Sequence, residues 1–120
     1  MGFVRVEVGI SSPARPESEE RVKVLVDTGA TLSVMPGSLL KRLGVRPEGR
    51  KKFKGFGGPI SREIGGIRMS YDGGVAIITV IFGEEDDPAI MGVTALESLG
   101  YQVDPVTGKL TPTEMLLLQI

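Results

Sequence analysis

A run of apolar, mostly β-branched residues that ends in a carboxylate constrains this chain more than any other feature. Residues 21–26 predict a buried strand, and Asp27-Thr28-Gly29 follows it directly. A carboxylate at the end of a core strand is costly unless it has a partner or a task. Aspartate and glycine are also ordinary turn residues, so the tripeptide alone leaves a simple strand-ending turn equally open.

The composition narrows the chemistry. The 120 residues include no cysteine and no histidine, which excludes disulfides, thiol nucleophiles, Ser-His triads and the usual zinc sites. Acid–base chemistry must therefore come from carboxylates, lysines or tyrosines. The net charge of −1 indicates neither nucleic acid nor an anionic membrane as a partner. Without a recognisable signal peptide or spanning segment, we expect a soluble, cytoplasmic protein with one domain over residues 1–120.

Seventeen glycines and eight prolines, spread along the chain, predict short strands joined by turns. The glycine-rich residues 53–66 predict a flexible hairpin with its turn near Gly57-Gly58-Pro59. The run 75–82 is the most apolar in the chain and predicts a central strand. Further strands are expected at residues 4–10, 64–71, 101–104 and 109–111, and residues 11–20 and 45–52 are expected to be polar connections, the second with a solvated basic cluster at 50–52.

Two short helices are predicted between these strands. The first has Pro36 at its first helical position and ends at Gly44. The second begins near Thr94 and Glu97, which have the spacing of a capping box, and ends at Gly100. The first helix therefore follows the apolar residues 31–35, and the second follows the apolar pair Ile90-Met91 and Gly92.

Three features stand in order along the chain. They are the strand ending in Asp27-Thr28-Gly29-Ala30, the glycine-rich hairpin around Phe56, and the apolar pair ending in glycine, Ile90-Met91-Gly92, with a helix and a closing hairpin after it. Together they resemble the retropepsin-like aspartic proteases, the single-domain relatives of the pepsins. The resemblance covers about residues 21–111. It implies an all-β fold, a closed β-barrel with one or two short helices and a glycine-rich flap hairpin.

The resemblance also implies an activity. In such enzymes a water held between two aspartates attacks the peptide carbonyl, and one carboxylate accepts a proton while the other, protonated, polarises the carbonyl. This chain has one Asp-Thr-Gly, so the family pattern implies an aspartic endopeptidase that is active as a homodimer. A peptide or protein would be the substrate, with no metal or other cofactor, no nucleic acid and no membrane.

Individual roles are carried over in the same way. Asp27 would be the catalytic acid–base, Thr28 would hydrogen-bond to the same loop of a second subunit, and the Gly29 N–H would bond the carboxylate. Ile90-Met91-Gly92 would brace the Asp27 loop from behind. The residues implied in substrate binding are Ala30, Val34, Phe56, Gly57, Gly58, Ile64 and Ile90.

Alternatives remain at this point. One is a catalytically idle dimer of the same fold that binds extended peptides as an adaptor, and another is a small β-barrel in which Asp27 only ends a strand. Ala30 stands where pepsins often have serine, which implies activity reaching towards neutral pH. The apolar residues 115–120 fit either a core strand or, as we favour, a strand of the dimer interface.

Overall fold

Nine strands and two short α-helices make up the part of the chain that the computed structural model describes, residues 3–55 and 57–114. A single turn of 3-10 helix at Pro16–Ser18 lies between the first two strands. The strands are β1 (Val4–Ser11), β2 (Glu20–Val26), β3 (Ser33–Pro36), β4 (Gly49–Gly55), β5 (Gly58–Tyr71), β6 (Gly74–Gly83), β7 (Ile90–Met91), β8 (Tyr101–Val103) and β9 (Leu110–Pro112). The helices are α1 (Gly37–Arg42) and α2 (Val93–Leu99).

Seven of these strands form one sheet that closes on itself. Their order is β1-β2-β7-β3-β6-β5-β4, and β1 also pairs with β5 through Gly9↔Ser70 to Ser11↔Arg68. Six strands therefore complete a barrel-like ring, and β4 extends beyond it as the outer strand of a hairpin with β5. This confirms the predicted all-β architecture. The predicted closing hairpin is present as the separate pair β8–β9.

The core lies inside the ring and is closed by the two helices. Its members are apolar side chains of alternating strand positions, such as Ile10, Ile67, Met69 and Val80, all with no exposed surface. Each such side chain contributes about 1.5–3 kcal/mol by leaving water. Helix α1 adds Leu39 and Leu40, and α2 adds Ala95 and Leu96.

Strand β6 is central in the sheet order, as predicted, and only one of its faces is buried. Ala76, Ile78 and Val80 are buried, whereas Val75 is 48% exposed and Ile77 is 62% exposed. A continuous apolar run is typical of a strand that is covered on both faces. Here the ring has a single interior, so only every second side chain of β6 enters the core.

The starts of both helices differ from the predictions. Pro36 ends β3 with extended backbone, and α1 begins one residue later at Gly37. The capping box is also wrong, because Gly92 precedes α2 and no side chain caps it. Backbone carbonyls of the loop after Asp27 supply the acceptors instead: Val93 N–H donates to Ala30 O at 2.8 Å.

The predicted ends of the helices are confirmed. Gly44 and Gly100 both have left-handed backbone, with φ of 83° and 80°, a conformation that glycine adopts without steric penalty. Neither helix in the described part of the chain has the length and apolar character needed to cross a membrane.

The two segments predicted to be polar connections, residues 11–20 and 45–52, contain more regular or tethered structure than expected. Residues 49–52 belong to β4, so the basic cluster Arg50–Lys52 lies on a paired strand, where all three side chains are exposed. In the connection after β1, the Glu19 carboxylate accepts hydrogen bonds from Arg68 at 3.1 Å and from the Ser70 hydroxyl at 2.9 Å. This connection is therefore tied to β5.

The β8–β9 hairpin is tied to the turn between β5 and β6. The Tyr101 hydroxyl donates to the Asp72 carboxylate at 2.9 Å, and this hydrogen bond raises the pKa of Tyr101. The rings of Tyr101 and Tyr71 meet edge to face at 5.0 Å. Within the hairpin turn, the Val106 N–H donates to Asp104 and lowers the pKa of that carboxyl group.

Candidate active site

Strand β2 carries Asp27 to a loop that is held between two neighbouring strands. Leu25 and Val26 pair in parallel with Ile90 and Met91 of β7, and Val26 also pairs with Val4 of β1. The Asp27 N–H then donates to Met91 O at 3.0 Å. The backbone that carries the carboxylate is therefore fixed from the side of β7.

The loop folds back on its own carboxylate. The Gly29 N–H donates to Asp27 Oδ1 at 2.9 Å, which is the hydrogen bond that the family resemblance implies, and the Ala30 N–H donates to Asp27 O at 3.1 Å. Asp27 is half-buried, whereas Thr28 and Gly29 are exposed. The carboxylate thus has one fixed oxygen at the surface of a rigid loop.

Gly92 lies behind this loop, where the family resemblance implies that the segment Ile90-Met91-Gly92 braces it. A Cβ atom at position 92 would come within 2.6 Å of the Leu32 carbonyl carbon and oxygen and within 2.9 Å of Ala30 O. Contacts this short to backbone atoms exclude any side chain. β7 and the residues just after Asp27 therefore pack backbone against backbone.

The predicted glycine-rich hairpin is formed by β4 and β5. Seven residue pairs connect the strands, from Gly49↔Ile64 to Gly55↔Gly58. Gly58 has a φ of 114°, which is strained for other residues, and Gly57 is exposed at the turn. Phe56, which was expected near the tip, lies outside the described residues.

An apolar cavity of about 220 Å³ lies between this hairpin and β7. Val34 and Ile90, both predicted to bind substrate, line it from β3 and β7. Ile64 does not line the cavity itself but pairs with Ile81, which does. The complete lining is Val34, Phe53, Ile60, Arg62, Ile81, Asp87, Pro88 and Ile90. Ala30, Gly57 and Gly58 lie outside this lining.

A family model for the aspartyl proteases matches residues 13–83, which is more than half of the 120-residue chain and includes both the Asp27 loop and the hairpin. The chain belongs to the aspartyl protease family. It is thus a retropepsin-like member of a family of peptidases.

The fold of this aspartyl protease is also found among solved structures. The solution structure of the simian foamy virus (mac) protease matches with a TM-score of 0.57 and 17% sequence identity, over 78% of this chain and 91% of the viral one. At that identity the match shows a common fold. No curated protein sequence matches the chain significantly.

Sequence reasoning missed four apolar residues that line the cavity: Phe53, Ile60, Ile81 and Pro88. A signal for two of them was present, because residues two apart on a strand share a face. Ile60, Arg62 and Ile64 alternate along β5, and Phe53 lies opposite Ile60. Using this alternation requires the register of the hairpin, which depends on where its turn lies.

Sequence reasoning also missed Ser33, a buried polar residue in the apolar stretch after the loop. Its side chain is 1% exposed, and its Oγ accepts a hydrogen bond from the Gly92 N–H at 3.0 Å. The hydroxyl therefore satisfies a buried N–H group on the segment that braces Asp27.

Replacing Ser33 by alanine is expected to lower the free energy of unfolding by about 1–3 kcal/mol, because the buried Gly92 N–H loses its acceptor. Urea denaturation measures this change. Ser38→Ala, at an exposed position of α1, is the matched control and should leave stability nearly unchanged. Equal effects of the two substitutions would show that the Ser33 hydroxyl does not brace the loop.

Proposed function

We propose that this aspartyl protease is an endopeptidase that works as a homodimer, with each subunit contributing its Asp27. The observation that carries the proposal is a single Asp-Thr-Gly, presented on an exposed and internally hydrogen-bonded loop. Peptide hydrolysis by a water that paired aspartates activate needs two carboxylates. A two-fold axis through the exposed Thr28 and Gly29 would bring two copies of Asp27 together.

In the proposed reaction the two carboxylates share one proton, because like charges at hydrogen-bonding distance do not both ionise. The ionised Asp27 takes a proton from the bound water, and the protonated Asp27 of the second subunit polarises the peptide carbonyl. Thr28 holds the two loops together, and the Gly29 N–H keeps each carboxylate in place. Rigid positioning of both acids is what lowers the barrier.

The proposed substrate is an extended peptide with apolar residues around the scissile bond. The cavity lined by Val34 and Ile90 has room for one aliphatic side chain, and it lies beside the strand that pairs with the Asp27 strand. The β4–β5 hairpin, with Gly57 at its turn, is the proposed flap that closes over the peptide and excludes water. Phe56, Gly57 and Gly58 stay proposed substrate contacts. Ala30 and Ile64 complete the proposed substrate contacts.

Mixing subunits tests the shared site. An excess of Asp27→Asn subunits, allowed to exchange with the wild-type protein, should suppress wild-type cleavage, because each mixed dimer has one carboxylate of the pair. At a ninefold excess, activity per wild-type subunit should fall to about one tenth, since random pairing leaves about that fraction in wild-type dimers. A fluorogenic apolar peptide in large excess over total protein measures the rate.

The matched control is the same excess of Asp86→Asn, a change of the same kind in an exposed turn. That variant retains Asp27, so its activity should add to that of the wild type. If excess Asp27→Asn leaves wild-type turnover unchanged, each chain acts alone and the proposed homodimeric site is wrong.

A further inference from the structure

The register of the β4–β5 hairpin places two cations opposite each other on the face that carries the apolar cavity. Phe53 and Ile60 are opposite residues, and both line the cavity. The next pair on the same face is Lys51↔Arg62, because residues two apart on a strand share a face. Arg62 itself lines the cavity. A lysine and an arginine thus adjoin the pocket proposed for a substrate side chain.

Acidic neighbours within the chain compensate these two charges only in part. Arg62 Nη2 lies 3.7 Å from Glu84 Oε1, beyond the length of a charge-assisted hydrogen bond, and the Glu84 side chain is 64% exposed. Asp87, the acid in the cavity lining, accepts a hydrogen bond from the Glu84 N–H at 2.8 Å, so its carboxylate stabilises the loop that contains both residues. Lys51 is exposed and has no ion pair within the described part of the chain.

The opposite face of the hairpin follows a different pattern. There Arg50 lies across from Glu63, a pair of opposite charges, and the Arg50 guanidinium donates to the Ser61 hydroxyl at 3.2 Å. Lysines on an outer strand discourage sheets from pairing edge to edge, and this accounts for Lys52 and Lys54. It does not account for two cations directly opposite each other, an arrangement that costs about 0.2–1 kcal/mol.

We infer that Lys51 and Arg62 recognise an acidic side chain of the substrate, located two residues from the one whose apolar side chain fills the cavity. The inference rests on the proposed function, since it names the class of peptide that the same cleft selects. The step from Phe53/Ile60 to Lys51/Arg62 is about 7 Å, and successive same-side residues of an extended peptide have the same spacing. A carboxylate at that position would lie between the two cations and relieve their repulsion.

Peptides that share one apolar core and carry Glu, Gln or Lys two residues to either side of it test the inference. The wild-type protein should cleave the better-placed Glu peptide with a kcat/KM about tenfold above that of its Lys counterpart, and the ratio should shrink as salt is added. Lys51→Glu should abolish this preference, because the new carboxylate would form an ion pair with Arg62 and take the place of the substrate's acidic side chain. Arg62→Gln should weaken it.

The matched control is Lys52→Glu, which makes the same change of charge on the other face of the same strand and should keep the preference. If Lys52→Glu removes the preference as fully as Lys51→Glu, the overall charge of the hairpin is responsible and the facing pair is not. Equal cleavage of the Glu and Lys peptides by the wild type would overturn the inference while leaving the peptidase proposal intact.

Binding of the same peptides separates the two proposals if nothing is cleaved. Fluorescence anisotropy with labelled peptides then measures affinity directly, and absence of cleavage counts against the proposed function alone. Tighter binding of Glu than of Lys peptides, lost in Lys51→Glu and kept in Lys52→Glu, would uphold the recognition of an acidic side chain. Equal affinities would overturn it.

Discussion

Replacing Asp27 by asparagine is expected to reduce the kcat for peptide cleavage by about 10³-fold or more, which is the scale of removing a positioned general base. The amide has nearly the same shape, and its oxygen can still accept the Gly29 N–H that Asp27 Oδ1 accepts at 2.9 Å. It cannot take a proton from water. The loss should therefore appear in kcat, measured with a fluorogenic peptide, while circular dichroism and peptide binding stay close to wild type.

The control for this substitution is Asp86→Asn, at an exposed position of the acidic turn before β7. It should cleave at the wild-type rate. Unchanged cleavage by the Asp27→Asn protein would disprove the carboxylate mechanism. Suppose that peptides bind equally well to the wild type and to the Asp27→Asn protein, and that neither the wild type nor the Asp86→Asn control cleaves them. A peptide-binding adaptor of the same fold then becomes the better interpretation.

Replacing Gly92 by alanine is expected to lower the free energy of unfolding by about 2–3 kcal/mol and to reduce cleavage as well. The added Cβ would come within 2.6 Å of the Leu32 carbonyl and 2.9 Å of Ala30 O, and backbone atoms have little freedom to move away. Both neighbours belong to the loop that begins at Asp27, so relief of the clash displaces the carboxylate. Urea denaturation at a fixed protein concentration measures the change, because dimerisation makes stability concentration-dependent.

Gly66→Ala is the matched control within the same sheet. A Cβ at position 66 would meet no atom within 4 Å, and the substitution also restricts the unfolded chain, so stability should stay within about 1 kcal/mol or rise slightly. A Gly92→Ala protein as stable as Gly66→Ala would show that β7 does not pack tightly behind the Asp27 loop.

Local patterns in the sequence were enough to predict most elements. The alternation of residues 4–10, the apolar run before Asp27 and the glycines at positions 44 and 100 each correspond to an observed strand or helix end. The β4–β5 hairpin was also predicted, but its turn lies earlier than expected, because Gly58 and Pro59 already belong to β5. These features depend on residues near one another in the chain, where side-chain periodicity and backbone freedom act directly.

The errors occurred where distant segments meet. A capping box at Thr94 was reasonable by spacing, but carbonyls of residues 30 and 31 accept the first N–H groups of α2. The predicted burial of β2 is wrong for most of the strand, since Val24 is its one buried residue and nothing local tells whether both faces of a strand are covered. The single domain, the homodimer and the roles of the site residues stay predictions, and the tail at residues 115–120 lies outside the described part of the chain.

The sequence by itself determined the chemistry available to this protein: one Asp-Thr-Gly after an apolar strand, no histidine, no cysteine, and glycines at the helix ends and behind the Asp27 loop. Only the tertiary structure decided which side chains surround that carboxylate. It brought Ser33 to the Gly92 N–H and set Lys51 across from Arg62 beside an apolar cavity. The physical reason is that ring closure and strand register, which shifts with the exact position of a turn, determine which residues share a face.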